Sequence, residues 1–240
     1  IDLTRVTLFN KRKDEAEFMF KLDTHVHTKE TSFCGNIFAA DVVKLYKEAG
    51  YDGIIITDHY YDGYFETLGD LSWIEKVDCY LRGYKRALEQ GEKLGLKVFL
   101  GMEIRFTENP NDYLVYGITE EYLKENPELY KLGLKEFKKH IEKDELLIFQ
   151  AHPFRNGMVV ADPTDLHGVE VFNGNLRHDS RNEKAVQFAN ENHLLMSSGS
   201  DFHELEDLAR GGMVFDDVIH NSSELIDHLR NQRYSEIISS

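Results

Sequence analysis

Cysteine is scarce in this sequence. The 240 residues hold two, Cys34 and Cys79, which form neither a CxxC pair nor a disulfide framework and so point to a reducing, cytoplasmic setting. Basic charge is also short: 28 Lys and Arg stand against 43 Asp and Glu, a net charge of −15. A long nucleic-acid partner needs a positive footprint, so the balance argues against that class. No leader pattern is present, and no apolar run is long enough to span a membrane. Internal repeats, low-complexity tracts and linkers are missing too. Residues 1–240 are therefore read as one domain, with 1–16 an unassigned N-terminal segment in which Lys11–Glu15 reads as a solvated turn.

What remains is a chain with 41% hydrophobic residues, enough for one sizeable core. Strand-like runs alternate with helical ones. The run through Phe18, Met19, Phe20 and Leu22 predicts a strand, and spacing predicts a helix over 40–49. Gly53–Ile56 is a β-branched run of the kind buried on both faces. A long helix is expected over 73–94, then strands at 97–100, 112–118, 146–149, 168–172, 194–196 and 213–215. Further helices are expected at 120–123, 134–143, 182–192 and 223–230, the last capped by Ser222.

Histidine is plentiful, with 11 in the chain. In a strand, residues two apart share a face, so His25 and His27 project together with Asp23, and Val26 turns away. The same polar ending recurs downstream: Asp58 and His59, Glu103, His152, Asn173, then Asp201 and His203. Alternating β and α elements predict a mostly parallel sheet, and a parallel barrel gathers residues at the C-terminal ends of its strands into one cup. Five imidazoles with several carboxylates are costly to bury together, and divalent cations relieve that cost. Of the other histidines, His140, His167, His193, His220 and His228 read as surface or capping residues; His178 is kept as a candidate.

In order along the chain stand His25-Val26-His27, Asp58-His59, Gly101-Met102-Glu103, His152-Pro153 and Ser200-Asp201-Phe202-His203. As a set they resemble the polymerase-and-histidinol-phosphatase (PHP) superfamily. The resemblance implies a distorted (β/α)7 barrel with a metal cleft at the strand C-termini. By position it implies that His25, His27 and Asp201 hold one metal and that Glu103 bridges it to a second served by His152. His59 and His203 would hold a third, with Glu103, Asp201 and His203 the catalytic residues. Zn, Mn and Fe all suit such a donor set.

Two positions depart from the commonest family pattern. The loop after His27 offers Glu30, favoured as a hard oxygen ligand, with Cys34 as the runner-up. Before the strand at 113–117 this chain has Asp112 in place of an imidazole, either as a ligand or as the mark of a poorer site. The implied activity is hydrolysis of a small phosphate ester or short nucleotide by a hydroxide shared between two cations. Arg155, Arg177, His178 and Arg181 are the candidate phosphate grip. The alternatives are a non-catalytic metal-binding accessory module and, among enzymes, a histidinol-phosphate phosphatase or a 5′-to-3′ oligonucleotide exonuclease.

Overall fold

The computed structural model describes residues 19–239, so the expected turn at Lys11–Glu15 lies outside the described residues. Its strands are β1 (Phe20–Val26), β2 (Gly53–Ile56), β3 (His59–Tyr60), β4 (Lys97–Arg105), β5 (Asp112–Tyr116), β6 (Leu147–Gln150), β7 (Gly168–Asn173), β8 (Leu195–Gly199), β9 (Gly211–Phe215) and β10 (Glu236–Ser239). Its helices are α1 (Ala39–Glu48), α2 (Asp62–Glu66), α3 (Trp73–Tyr80), α4 (Arg82–Leu94), α5 (Glu120–Glu125), α6 (Leu134–His140), α7 (Asn182–Asn192) and α8 (Ser222–Arg230). The strands form one sheet in the order β10-β9-β1-β2-β4-β5-β6-β7-β8, with β3 paired to β4. The two ends of the curved sheet nearly meet. Val26 bridges Phe202 in parallel, Thr24 Oγ1 donates to Ser198 O at 2.8 Å, and His27 N donates to Phe202 O at 3.1 Å. The result is a nearly closed, barrel-shaped sheet.

Period-two alternation divides the core into an inside and an outside. Phe99 of β4, Leu114 and Tyr116 of β5, and Leu147 and Phe149 of β6 pack in one cluster with Leu225, Ile226 and Leu229 of α8. This apolar plug fills the barrel floor, each large side chain contributing roughly 1.5–3 kcal/mol by burial. Met102 and Ile104 of β4 and Tyr113 and Val115 of β5 point the other way, toward α3, α5 and α6. Ile54 and Ile56 of β2 pack outward on α1 and α4. The third isoleucine, Ile55, joins the interior cluster. That is why β2 is apolar at every position after its glycine.

Several expectations need correction. Strand β5 runs antiparallel to both β4 and β6, because residues 106–111 are too few for a crossover helix. The antiparallel direction puts Asp112, the first residue of β5, beside Arg105, the last of β4. A strand start thereby reaches the rim formed elsewhere by strand ends. The helix expected over 73–94 is two helices that meet at Leu81. Thr31 Oγ1 donates to Tyr80 O at 2.9 Å and accepts from Gly83 N at 3.4 Å, so a side chain is inserted into the helical ladder. The cap of α8 is Asn221, whose Oδ1 accepts from Glu224 N at 2.9 Å. Strand β10, with only Ile237 and Ile238 as its apolar signal, was not expected; it pairs antiparallel with β9. Among the described residues no helix is long and apolar enough to cross a membrane.

Candidate metal centre

The first two ligand-type side chains come from the top of β1, and a shift in register between Asp23 and Val26 sets their direction. Phe20 and Leu22 belong to the barrel floor, whereas Val26 packs outside. A bulge between them reverses the parity, so that His25 and His27 face inward above the floor. Asp23 does not follow them, contrary to expectation. Its Oδ1 accepts from His25 N and Ser200 N, each at 3.1 Å, and its Oδ2 from Tyr46 OH at 2.7 Å.

Hydrogen bonds at the far side of each imidazole decide which nitrogen faces the cup. His25 Nδ1 donates to Glu170 Oε1 at 2.8 Å, which turns Nε2 to the cup. Ser32 Oγ donates to Asp58 Oδ1 at 2.6 Å, so it accepts from His27 Nδ1 at 3.2 Å. His203 Nδ1 donates to Asp201 O at 2.8 Å. Three Nε2 atoms therefore face the cup. Those of His25 and His27 are 3.0 Å apart, close enough to share a proton or to turn toward a common cation.

Carboxylates complete the ring. Glu103 lies within 3.4 Å of His25 and His27, 3.3 Å of His152 and 2.8 Å of His59. Asp201 Oδ1 lies 3.4 Å from the Nε2 atoms of both His25 and His27. His152 and Asp201 adopt φ of 30° and 53°, a left-handed region that costs a non-glycine residue about 1–3 kcal/mol and is held by its surroundings. Asp201 Oδ2 accepts from Arg155 at 2.8 Å, and Glu170 Oε2 accepts from His152 N at 3.0 Å.

Charge follows this geometry. Burial disfavours ionisation of Glu103, but the imidazoles of His59 and His25 outweigh it and hold the carboxyl well below its usual range. Asp201 is likewise low: burial is overcome by His25, His27, His203 and Arg155. Burial and the neighbouring His203 and His59 keep His27 neutral, its pKa far below normal. His25 is raised, since Glu170, Asp201 and Glu103 together exceed the cost of burial. Cys34 is lowered to about 6; burial opposes this, and hydrogen bonds from His203 and His59 reverse it.

Among the described residues, three groups have ligand atoms within 4.8 Å of one another: His25, His27 and Glu103; His27, His59 and His203; and His59, Glu103 and Asp112. Imidazole and carboxylate donors of this kind fit divalent cations. The opposed Nε2 atoms and the buried, unpartnered Nδ1 of His152 and Oε2 of Glu103 fit them too. The chain matches the PHP domain family over residues 23–237. It belongs to the PHP family.

Solved structures share this PHP fold. One is a two-domain Bacteroides vulgatus protein containing a predicted PHP-like metal-dependent phosphoesterase (TM-score 0.62, 20% identity, 90% of this chain covered). The present chain spans 64% of that protein's length. PsfC from Pseudomonas syringae aligns with a TM-score of 0.61 at 17% identity over 87% of each chain. An amidohydrolase from Chromobacterium violaceum, solved with bound sulfate and no metal, aligns at 0.50 and 15% over 78% of this chain and 89% of its own. At these identities the likeness is one of fold. No curated protein sequence matches the chain.

The PHP motifs account for His25, His27, His59, Glu103, His152, Asp201 and His203, which the structure brings together. Glu30, expected as the loop ligand, is turned elsewhere: its Oε2 accepts from Ala39 N at 2.9 Å, at the start of α1. Asp112 stands near His59 and Glu103 but accepts two bonds from Arg105, each 2.8 Å. A cavity of about 460 Å³ opens over the cup, and Arg105, Arg155, Arg177 and His178 line it. Burial and Arg155 lower the His178 pKa. Arg181 faces away; it donates to Phe154 O at 3.2 Å and to Asn156, bracing the turn after His152. Arg155 is occupied with Asp201, Asn173 and Ser180, which makes it a support for Asp201 more than a free grip.

Sequence reasoning passed over two residues. Glu170 sits mid-run in an apolar strand, and a lone carboxylate in Gly168–Phe172 was a signal that could have exposed it. Arg105 was not considered, because the strand was expected to end at residue 100, whereas β4 continues to Arg105.

Proposed function

We propose that this protein hydrolyses small phosphate esters with two or three divalent cations held in the cup. His25, His27 and Asp201 would hold one, His152 and Glu103 a second, and His59 and His203 a third, with Glu103 shared between sites. Such cations supply Lewis-acid polarisation of phosphoryl oxygens and a water of lowered pKa.

The chain's own residues do the rest. Glu170 holds a proton on His25 Nδ1, and the Asp58–Ser32 pair does the same for His27, so Nε2 of each ring is the nitrogen that would coordinate. Arg155 holds Asp201 Oδ2, which aims Oδ1 at the histidines. Arg177, anchored to Asp207 at 2.9 Å, and Arg105, anchored to Asp112, present cationic N–H groups at the mouth. Guanidinium forks match phosphate oxygens in charge and shape.

One observation carries the proposal. The mouth of the cup sets Arg105, Arg155, Arg177 and His178 among the carboxylates Glu103, Asp112, Asp201 and Glu204. Cations held on the inner carboxylates and imidazoles would add positive charge beside those arginines, which favours an anionic substrate and an enzyme over an accessory metal-binding module. The test is turnover by metal-loaded protein of a panel of phosphomonoesters, phosphodiesters and short oligonucleotides. Phosphate release should occur and should vanish with a chelator or with Glu103→Ala. Fully metal-loaded protein that turns over none of the panel would overturn the reading.

A further inference from the structure

We propose that Phe33 and Tyr61 wall a side slot of the cup that receives a neutral aromatic ring on the leaving-group side of the phosphate ester. The inference rests on the phosphoesterase reading above and names a substrate class for it. A cavity of about 190 Å³ is lined by Phe33, Cys34, His59, Tyr61 and Arg105. Three of these, Cys34, His59 and Arg105, also line the larger cavity over the cup, so the slot adjoins the candidate metal centre. An ester whose phosphate lies in the cup beside Arg105 would reach the slot through a short linker.

Both walls are held in place without a ligand. Phe33 is 67% exposed, yet the loop under it is fixed. Ser32 Oγ donates to Asp58 Oδ1 at 2.6 Å, Thr31 Oγ1 to Tyr80 O at 2.9 Å, and Asn36 N to His203 O at 2.9 Å. The Phe33 ring leans on Tyr64, with centroids 5.8 Å apart. Tyr61 is steadied from two sides. Its ring meets that of His59 edge to face at 6.4 Å, and a Cβ at position 63 would come within 2.7 Å of it. Gly63, in the first turn of α2, therefore leaves the ring its place. A wall ordered in advance lowers the cost of binding.

Size and chemistry narrow the occupant. An apolar cavity of roughly 150 Å³ takes a benzene ring, so the slot suits a single ring. Phe33 and Tyr61 offer π-faces and Cys34 a polarisable sulfur, all of which favour an aromatic group over an aliphatic one. No carboxylate lines the slot, and Arg105 stands in its wall, so an ammonium group there would meet a like charge without a partner. A neutral ring meets both limits. An exposed phenylalanine is by itself ordinary; this one shares a slot with Tyr61 at the edge of the cup.

The test compares kcat/KM of the metal-loaded full chain on ethyl phosphate, 2-phenylethyl phosphate and its ring-saturated counterpart, 2-cyclohexylethyl phosphate. All three are esters of primary alcohols of similar reactivity. Wild type should favour the phenyl ester over ethyl phosphate by about 10–100-fold and over the cyclohexyl ester by about 2–10-fold. Phe33→Ala and Tyr61→Ala should each cut the phenyl-to-ethyl ratio by about 3–10-fold, mainly through KM, and Phe33→Trp should retain it. A merely structural role would lower turnover of all three esters together and leave the ratios where they were. Equal efficiency on the phenyl and cyclohexyl esters, or ratios that survive both alanine variants, overturns the inference and leaves the phosphoesterase reading standing. Turnover of other phosphate esters but none of these three overturns it as well. Metal-loaded protein that turns over no phosphate ester overturns both.

Discussion

Replacing Glu170 by Gln tests whether the cup is set up from behind. Three donors converge on this buried carboxylate. His25 Nδ1 reaches Oε1 at 2.8 Å, while His152 N and Asn173 Nδ2 reach Oε2 at 3.0 and 2.9 Å. An amide offers one acceptor oxygen and one NH2 group, so it cannot satisfy both sides. If the oxygen stays with His152 and Asn173, the NH2 faces His25 and drives its proton to Nε2, the atom that must bind metal. If the amide flips, two buried N–H groups lose their acceptor, at roughly 1–3 kcal/mol each. Either way metal affinity should fall by about 10–100-fold, the usual cost of losing such an outer partner, or about 1.4–2.7 kcal/mol. Titration of the apo-protein against a chromophoric zinc chelator measures this, and circular dichroism shows whether the fold survives. Unchanged affinity in a folded variant would mean that Glu170 does not set the His25 tautomer.

Gly83→Ala should destabilise, although Gly→Ala inside a helix normally gains about 1 kcal/mol: its Cβ would land on Thr28 Oγ1 and within 2.8 Å of Asp58 Oδ2. A loss of about 1–3 kcal/mol, near 2–4 °C in Tm per kcal/mol for a chain of this size, is expected in a thermal melt, and a higher Tm would refute the packing argument. Arg105→Ala should raise KM by about 10–100-fold for the best substrate, with metal content intact. Asp112→Asn should act in the same direction if Asp112 anchors Arg105; loss of a metal equivalent would make it a ligand instead. Burial, then Lys138 and Arg230, lower the His167 pKa to about 4, and Ile148 N donates to its Nδ1. The unfolded chain takes up that proton first, near pH 6.5, so stability should drain as pH falls from about 6.5 to 4. The loss is at most about 3 kcal/mol before solvent screening of this half-buried ring. Urea melts at several pH values should show His167→Gln flatter than wild type across that window, and parallel curves would count against it.

The inner groups of the cup were legible because each is announced locally. His25 and His27 are two apart on a strand, and Glu103, His152 and Asp201 stand where strand-like runs meet the rim. Their supports were not legible, because each joins distant segments. Glu170 reaches His25 across 145 positions, and Asp58 reaches Ser32 and Thr28 across 26 and 30. No local pattern encodes those pairings. Glu30 was misread for a related reason. A hard oxygen donor just after the strand suits a metal, but the start of α1 competes for the same carboxylate, and only the folded path of the loop shows which one takes it. The reversal at β5 was within reach, since the connection from Arg105 to Asp112 is too short for a helix. It was missed because β4 was ended at Leu100, before its polar residues.

Strand β1 shows why the floor and the cup can share one barrel. A regular strand keeps one parity on the inside, so Phe20 and Leu22 inward would place His25 and His27 outward, against α1 and α4. The irregularity after Asp23 reverses this, and the Asp23 carboxylate holds it in place. It accepts from His25 N within its own strand and from Ser200 N, just past the end of β8. Tyr46 OH from α1 closes the set. Burial raises the Asp23 pKa to about 6 despite these donors, so the group that fixes the bulge is itself held at an energetic cost. That cost falls where the chain passes from apolar plug to ligand ring, the one level at which β1 must serve both. His152 and Asp201, both at positive φ, each stand two residues past a strand end, of β6 and of β8. At these two positions backbone strain aims donors inward, while the apolar floor keeps ordinary strand alternation.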